Sequence, residues 1–274
     1  MKVLICGYGN MGKIHSKYLN KLGIDWEFYD PKTKSTVESL AEVKKHNFTH
    51  IIISSSEEYH FENYEQLRSA GFSGPILVEK PAVIKRENFS IFEDPKLSVG
   101  LVERFNPAVQ VLKRNLEIDN LISCDFIRCS VKNTANNRVD AFTDVGIHDV
   151  DLYFYLFGNG KFYYDFENFS DTFSLVLREG NKFISRFLWS NETNCKERKI
   201  TIRHTNFTLE ADLINQIVTK ISTNKEGKMV SENLYVEKGS PIQSQMETFL
   251  KNGITYKGVE SHNLYFELKE ENNV

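Results

Sequence analysis

The chain begins with a short apolar segment that runs directly into a glycine-rich motif. Residues 2–6 (KVLIC) have the composition of a buried strand, and GYGNMG follows at 7–12, ahead of a helical pattern. A glycine motif between a first strand and a first helix is typical of dinucleotide-binding βαβ units. There Gly7 permits a tight turn, Gly9 admits a pyrophosphate close to the backbone, and Gly12 lets helix and strand pack closely. A tight strand–helix turn without a ligand is the alternative interpretation.

The chain divides into two halves with different patterns of apolar residues. In the first half, strand-like runs alternate with helical patterns, which predicts a doubly wound, Rossmann-type parallel sheet with helices on both faces. One of these helical patterns spans 36–46, with Ser35 as its expected cap. After residue 102, strand-like runs follow one another with short turns, which predicts a mostly antiparallel open β-sheet with flanking helices. We therefore expect an α/β domain over 1–102 and an α+β domain over 103–274.

Composition excludes several classes of protein. With 274 residues, 41% hydrophobic and 26% charged, the chain is typical of a globular protein, and a net charge of −3 gives no basic surface for nucleic acid. No apolar run approaches the roughly 18–20 residues that cross a bilayer, and the first residues lack the pattern of a signal peptide. The four cysteines form no CxxC pair, which favours free thiols in a reducing cytosol over disulfides or a metal site. We expect a cytoplasmic protein with no nucleic-acid partner, no membrane partner and no metal.

An acidic residue follows the second strand-like run, where the sequence reads FYDP. A carboxylate at the position of Asp30 accepts hydrogen bonds from the ribose hydroxyls of NAD and repels the 2′-phosphate of NADP. We therefore expect NAD as the cofactor, while Lys32 and Lys34 keep NADP possible. Asp30-Pro31 is also a common start of a turn, and that alternative stays open.

The segment DVGIHDVD at 144–151 places three aspartates and a histidine in a helix that we predict over 141–157. Asp140 is the expected N-cap of this helix and Gly158 its expected stop. Asp144, His148 and Asp151 stand at i, i+4 and i+7, which stacks them on one face. That face is either a solvated edge or one wall of an active site.

Four motifs occur together in this chain: GYGNMG, VEKP at 78–81, GLVERFNPA at 100–108 and DVGIHDVD. In this order they resemble the glucose–fructose oxidoreductase/inositol dehydrogenase (Gfo/Idh/MocA) family. VGLVERFNPA and the IHDVD helix are most similar to its branch of UDP-N-acetylglucosamine 3-dehydrogenases. The resemblance implies an NAD(P)-dependent dehydrogenase that acts on CH–OH groups. One departure is SSSEEYH at 54–60, where the family usually has a proline after its third strand.

The resemblance implies that Lys80, Asp144 and His148 surround the hydroxyl that is oxidised. Such a reaction needs a base for the hydroxyl proton and a positive charge for the developing alkoxide. His148 suits the first role because its pKa lies near operating pH, and Lys80 suits the second. Asp144 would orient the lysine or balance the charge of the site.

We expect the cofactor to be bound by the glycine loop, the end of the second strand, the end of the third strand and the EKP segment: Gly7, Tyr8, Gly9, Asn10, Met11, Gly12, Asp30, Ser54, Ser55, Glu79 and Lys80. Candidate substrate ligands are Arg104, Asn106 and Arg138, because the planar fork of arginine pairs with phosphate oxygens. Surface charge and a helix N-cap before Pro107 are the alternative interpretations.

The expected function is NAD-dependent oxidation of a sugar hydroxyl, specifically C3 of UDP-N-acetylglucosamine or its uronate. Alternatives are a dehydrogenase of a cyclitol or free aldose, a reductase of another small substrate, and a non-catalytic nucleotide-binding regulator. The chain retains Lys80, Asp144 and His148, which favours an enzyme over a non-catalytic regulator. The resemblance also implies a homodimer or homotetramer, formed through a face of the second-domain sheet.

Overall fold

The computed structural model describes residues 1–131, 139–180 and 182–272. By the contacts between their residues, they form two compact units. The first comprises Met1–Leu101 with Ile242–Val259, and the second Val102–Pro241 with Glu260–Val274. The first change of unit falls close to residue 102, where the pattern of apolar residues changes. Residues 242–259, which the sequence assigned to the second domain, cluster with the first unit.

The first unit is built on a five-stranded parallel sheet with the strand order β2-β1-β3-β4-β5. Its strands are β1 (Lys2–Cys6), β2 (Asp25–Tyr29), β3 (His50–Ile53), β4 (Ile76–Val78) and β5 (Leu97–Val99). Its helices are α1 (Asn10–Lys21), α2 (His60–Ser69) and most of α5 (Pro241–Asn252). Every residue of β3 and β4 is buried, as expected where both faces of a parallel sheet are covered. The predicted Rossmann-type parallel sheet is confirmed.

Helix α5 joins the first unit because its apolar face completes the core of that unit. Met246, Phe249 and Leu250 pack in one cluster with residues of β1, α1, β3 and β4, namely Val3, Ile5, Leu19, Ile52 and Leu77. The helical periodicity of this segment is visible in the sequence, whereas the core that it covers is not.

The second unit contains an eight-stranded sheet with the order β13-β12-β11-β10-β6-β9-β8-β7. Its strands are β6 (Leu121–Val131), β7 (Tyr163–Phe169), β8 (Thr172–Arg178), β9 (Ile184–Thr193), β10 (Glu197–His204), β11 (Phe207–Asp212), β12 (Ile217–Thr223) and β13 (Met229–Leu234). The pairing of β6 with β9 is parallel and the other pairings are antiparallel, so the predicted mostly antiparallel sheet is confirmed. The helices of this unit are α3 (Pro107–Arg114), α4 (Ile147–Phe157) and α6 (Val259–Asn272).

The two faces of this sheet differ in burial. Along β9 the buried residues Ser185, Phe187 and Trp189 alternate with the exposed residues Ile184, Arg186 and Leu188. We call the side of Trp189 the inner face and the side of Leu188 the open face.

In the described parts of the chain, no helix is both long enough and apolar enough to cross a membrane.

The DVGIHDVD segment begins with a wide turn. Phe142–Gly146 form a π-helical turn, and the regular helix α4 starts only at Ile147. Asp140, which the sequence predicts as the N-cap, accepts hydrogen bonds from the amide (2.7 Å) and the hydroxyl (2.9 Å) of Thr143. Gly158, the predicted stop, follows the helix with φ +80°. The predicted ends are confirmed, and the π turn replaces the uniform α-helix that periodicity indicates.

Candidate active site

The glycine motif forms the turn between β1 and α1. Gly7 has φ +92°, and a Cβ there would lie 2.3 Å from the amide nitrogen of Ser55. A Cβ on Gly12 would lie 2.2 Å from the carbonyl oxygen of Gly7. A Cβ on Gly9, in contrast, would meet no protein atom within 4 Å. Gly7 and Gly12 are therefore required by the fold, whereas Gly9 leaves the open space that an approaching pyrophosphate requires.

A cavity of about 660 Å³ lies in the first unit beside this turn. That volume falls within the range of small-molecule and cofactor sites. Its lining includes Gly7, Gly9, Asn10, Met11, Asp30, Ser54 and Ser55. The structure thus brings the glycine loop, the end of β2 and the end of β3 together around one space, and this set fits a dinucleotide. Tyr8, Gly12, Glu79 and Lys80 are not among its lining residues.

Asp30 joins the end of β2 to the glycine loop. One carboxylate oxygen accepts a hydrogen bond from the amide of Tyr8 (2.8 Å), and the other accepts one from the amide of Lys32 (2.8 Å). The second bond is the local contact of an Asp that starts a turn. Each carboxylate oxygen has a further acceptor position, so these bonds are compatible with contacts to ribose hydroxyls.

His60 holds the loop that follows β3. Its Nδ1 lies 2.8 Å from the carbonyl oxygen of Pro81, and its Nε2 lies 2.9 Å from that of Ser55. A neutral imidazole carries one N–H, so donating both bonds at once requires the imidazolium form. Burial lowers the pKa of His60 and opposes this form, while the two carbonyls and the Glu79 carboxylate favour it. His60 thus ties a residue of the cavity to the residue after Lys80.

The EKP segment follows β4, and its first residue, Glu79, is anchored by a buried hydrogen bond. The Nε2 of His15 lies 2.7 Å from Oε1 of Glu79, and both side chains are buried. Burial would raise the pKa of Glu79, but the hydrogen bond and charge of His15 hold it below its usual value. A Cβ on Gly100 would lie 2.7 Å from the other carboxylate oxygen, so the carboxylate occupies the space that this glycine leaves. Lys80 comes next in the chain, before a cis peptide bond to Pro81.

The sequence by itself does not single out His15 or His60. The available signal was a histidine one turn into the helix after the glycine motif, and another at the start of the helix after the third strand. A histidine in either place is equally consistent with an exposed helix surface, so burial in the fold was needed to identify both.

In the second unit, Asp144 lies in the π turn and His148 in the first turn of α4. Asp144 is exposed and His148 is partly buried. Isolated π turns occur frequently at functional sites, because they change the direction of side chains relative to a regular helix. Gly146 completes the turn beside Trp189, where a Cβ would lie 3.0 Å from the ring. Lys80, the third proposed catalytic residue, belongs to the first unit.

The other two aspartates of DVGIHDVD hold α4 by buried ion pairs. Asp149 accepts hydrogen bonds from Nε (2.9 Å) and Nη2 (2.8 Å) of Arg128 and from the indole of Trp189 (3.0 Å). Asp151 accepts two from Arg104, at 2.7 and 2.6 Å. The two arginines, Arg104 and Arg128, come from distant parts of the chain. Two ion pairs therefore anchor the helix that carries His148.

The proposed substrate residues have different surroundings. Arg104 is only 11% exposed and pairs with Asp151 through two hydrogen bonds. Asn106 is buried and caps α3, where its side chain accepts a hydrogen bond from the amide of Ala108 (3.1 Å). This is the helix N-cap that the alternative interpretation predicted. Arg138 lies outside the described residues.

Over the part of the chain that the structure describes, no group of three or more His, Cys, Asp and Glu side chains could hold a metal ion.

The chain is similar in structure to solved dehydrogenases and oxidoreductases. No protein-family model and no curated protein sequence matches the chain. The UDP-N-acetylglucosamine 3-dehydrogenase from Acidithiobacillus ferrooxidans has a TM-score of 0.84 at 16% identity, over 98% of this chain and 96% of that one. A dehydrogenase from Clostridium difficile has a TM-score of 0.79 at 16% identity, over 99% of both chains. A candidate NADPH-dependent oxidoreductase from Desulfitobacterium hafniense has a TM-score of 0.80 at 14% identity, over 100% of this chain and 95% of that one.

At identities of 14–16%, the similarity to these structures is evidence for a shared fold only. It extends over nearly the whole length of each compared chain, including both the parallel and the mostly antiparallel sheet. The chain therefore has the fold of these dehydrogenases and oxidoreductases, which is the fold that its four motifs imply.

Proposed function

We propose that the protein is an NAD-dependent dehydrogenase that oxidises a secondary hydroxyl of a sugar. The observation that carries this proposal is the cavity of the first unit, which is lined by the glycine loop, Asp30 and the serines after β3. A nicotinamide dinucleotide, when bound, would supply the hydride acceptor. The fold shared with solved dehydrogenases supports the same reaction class.

The proposed roles of the residues follow from their chemistry. The open space at Gly9 and the N-terminal amides of α1 would bind the pyrophosphate, and Asp30 would accept hydrogen bonds from the ribose. His148 would take the hydroxyl proton as general base. The ammonium group of Lys80 would stabilise the alkoxide that forms as hydride leaves, with Asp144 balancing its charge.

For the substrate we propose UDP-N-acetylglucosamine or its uronate, oxidised at C3. The motifs VGLVERFNPA and IHDVD support this choice, as does the likeness to a solved UDP-N-acetylglucosamine 3-dehydrogenase. Arg104, Asn106 and Arg138 remain the proposed substrate ligands. A diphosphate pairs well with arginine, whereas a free sugar or cyclitol carries no anion for such a side chain.

We further propose a cytoplasmic homodimer or homotetramer that assembles through the open face. Ile184 and Leu188 are exposed there beside Arg186. The Arg186 guanidinium and Arg203 both pair with Asp125 in the middle of this face. Exposed apolar side chains on a sheet face are a common feature of contacts between protein chains.

The test is NADH absorbance with the purified protein and a panel of UDP-sugars, free aldoses and inositols. 2-Oxoglutarate is included as an external acceptor, and products are identified by mass spectrometry, because tightly held NADH would hide turnover. We expect oxidation of UDP-N-acetylglucosamine or its uronate to the 3-keto sugar. Reaction with inositol or glucose but with no UDP-sugar would refute the proposed nucleotide-sugar substrate. It would still agree with the proposed dehydrogenase activity. Binding of NAD without any reaction would favour the regulator.

A further inference from the structure

Three side chains form a row across the inner face of the second unit's sheet. Arg128 of β6 is the register partner of Trp189 in β9 and of Arg198 in β10. Residues paired in this way project to the same side of a sheet. Trp189 is 0% exposed, the side chain of Arg128 is 1% exposed and that of Arg198 is 30% exposed. The row therefore leads from the core to a partly exposed guanidinium.

The two arginines of this row share one carboxylate oxygen. Oε1 of Glu103 accepts hydrogen bonds from Arg128 (2.9 Å) and from Arg198 (3.0 Å). Arg128 has a second carboxylate partner, Asp149, at 2.8 Å. Arg198 has no such second partner among the described residues, and its buried Nε makes no hydrogen bond there. The carboxylates of Glu103 and Asp149 balance the two arginines, yet Arg198 keeps N–H groups that no carboxylate of the described residues accepts.

Lys196 brings another positive charge to the same end of the row. It stands two residues before Arg198, at the entry to β10, and its side chain is exposed. The charge of Arg198 lowers the pKa of Lys196, while burial and the charge of Arg128 lower the pKa of Arg198. Asp144, a proposed catalytic residue, lies within electrostatic range of Arg198 and acts in the opposite sense. Cations held together in this way favour a bound anion.

We propose that Arg198 and Lys196 form an anion subsite for the phosphate groups of a nucleotide-linked substrate. The inference rests on the proposed function for the identity of that substrate. The outer N–H groups of the Arg198 guanidinium form a planar edge that suits phosphate oxygens, and Lys196 contributes a mobile point charge. The carboxylate of a sugar acid would be bound by the same chemistry, so the test includes both ligands.

The test is calorimetric titration of the intact protein with UDP and, separately, with glucuronate. Saturating NADH is present so that UDP cannot enter the cavity of the first unit. Lys196→Gln and Arg198→Gln are compared with Lys199→Gln, a matched control in the same strand. Lys199 is exposed, follows Arg198 directly and therefore projects to the other face, where it pairs with Glu197 at 2.8 Å.

We expect UDP to bind the wild-type protein and the Lys199→Gln variant equally. Lys196→Gln should weaken UDP binding by roughly tenfold, which is about 1.4 kcal/mol, and Arg198→Gln should weaken it further. Binding should also fall with added salt. Glucuronate binding with the same dependence on both residues would support the subsite and identify a carboxylate as its ligand.

Unchanged UDP affinity in Lys196→Gln and Arg198→Gln, or failure of the wild-type protein to bind either ligand, would overturn the proposal. Circular dichroism checks the fold of Arg198→Gln, and Lys196→Gln keeps the test valid because its exposed side chain is not needed for folding. The two proposals fail separately. Absence of NAD binding would refute the proposed dehydrogenase. UDP binding that does not depend on Arg198 and Lys196 would refute only the proposed anion subsite.

Discussion

The Nε2 of His15 lies 2.7 Å from Oε1 of Glu79, and both side chains are buried. His15 belongs to α1, the helix that follows the glycine loop, and Glu79 immediately precedes Lys80. One buried hydrogen bond therefore joins the helix beside the proposed cofactor cavity to the segment that carries the proposed catalytic lysine.

Replacing His15 by leucine should destabilise the protein at neutral pH by about 1–3 kcal/mol, because it leaves a buried carboxylate without this partner. The pKa of Glu79 is lowered in the fold, so this contribution is present above the unfolded value of about 4.3 and is lost as pH falls through the folded value. The free energies of unfolding of wild type and His15→Leu, from urea titrations, should therefore converge in acid. A gap of equal size at pH 7 and in acid would contradict this account. His46→Leu, at a partly exposed His–Glu pair, is the control and should cost little.

Gly9→Val and Gly12→Val should fail in different ways. A side chain at Gly9 meets open space, so we expect a folded protein with wild-type stability that has lost NAD binding. A side chain at Gly12 meets the carbonyl oxygen of Gly7, so we expect a large loss of stability. Thermal unfolding and NAD titration of both variants distinguish these outcomes. A Gly9→Val variant that binds NAD normally would show that the pyrophosphate lies elsewhere.

Asp30 should determine the preference for NAD over NADP through its charge. Asp30→Asn keeps an acceptor for the amide of Tyr8 but removes the repulsion of a 2′-phosphate, so NADP should bind more tightly relative to NAD. Asp30→Ala also removes that acceptor and should weaken both cofactors. Calorimetric titrations with NAD and NADP measure both effects. An unchanged preference in Asp30→Asn would assign selectivity to Lys32 or Lys34.

Removing Arg128 should be far more costly than removing an exposed arginine of the same sheet. Arg128→Met leaves Asp149 without its ion pair in the core, and losses of about 3–5 kcal/mol are usual for broken buried pairs. Arg186→Met, on the open face, breaks a partly exposed pair with Asp125, which keeps Arg203 as a second partner, and should cost at most about 1 kcal/mol. Chemical denaturation of the two variants gives the comparison. Similar losses in both would mean that the buried network contributes little.

His148→Asn and Lys80→Ala should each reduce turnover by on the order of 10²–10⁴, the scale of acid–base and charge-stabilising groups. NAD binding should survive His148→Asn, because His148 belongs to the second unit and the cavity to the first. Steady-state kinetics with the reacting sugar, together with NAD titration, test the assignment. Near-normal turnover in His148→Asn would make His148 a structural residue.

Local signals in the sequence were sufficient for several features of this protein. The position of Gly7 at positive φ, the N-cap at Asp140 and the stop at Gly158 each depend on neighbouring residues, and the structure has all three. The two sheet types follow from the alternation or succession of strand-like runs, which is also a local property. Even so, the dinucleotide loop could be identified only because its motif stands between a strand and a helix.

Where tertiary contacts compete with local preference, the sequence alone was insufficient. The pattern over 36–46, with Ser35 as its cap, predicts an α-helix, yet the structure has only a short 3-10 helix at Leu40–His46. The Ser35 hydroxyl instead accepts a hydrogen bond from the amide of Asp30 and donates one to its carbonyl, closing the loop after β2. Propensity is a weak preference that such a contact outweighs.

Only the tertiary structure decided which charged side chains face each other. Arg104 and Asp151 are 47 residues apart, and His15 and Glu79 are 64 apart. Periodicity shows which side of a helix or strand a residue occupies, but the partner across the core depends on how the elements pack. Burying a carboxylate is costly unless it is paired, so packing and pairing had to be satisfied together. The sequence thus predicted DVGIHDVD as a functional segment, and the fold showed that two of its three aspartates, Asp149 and Asp151, hold the helix in place.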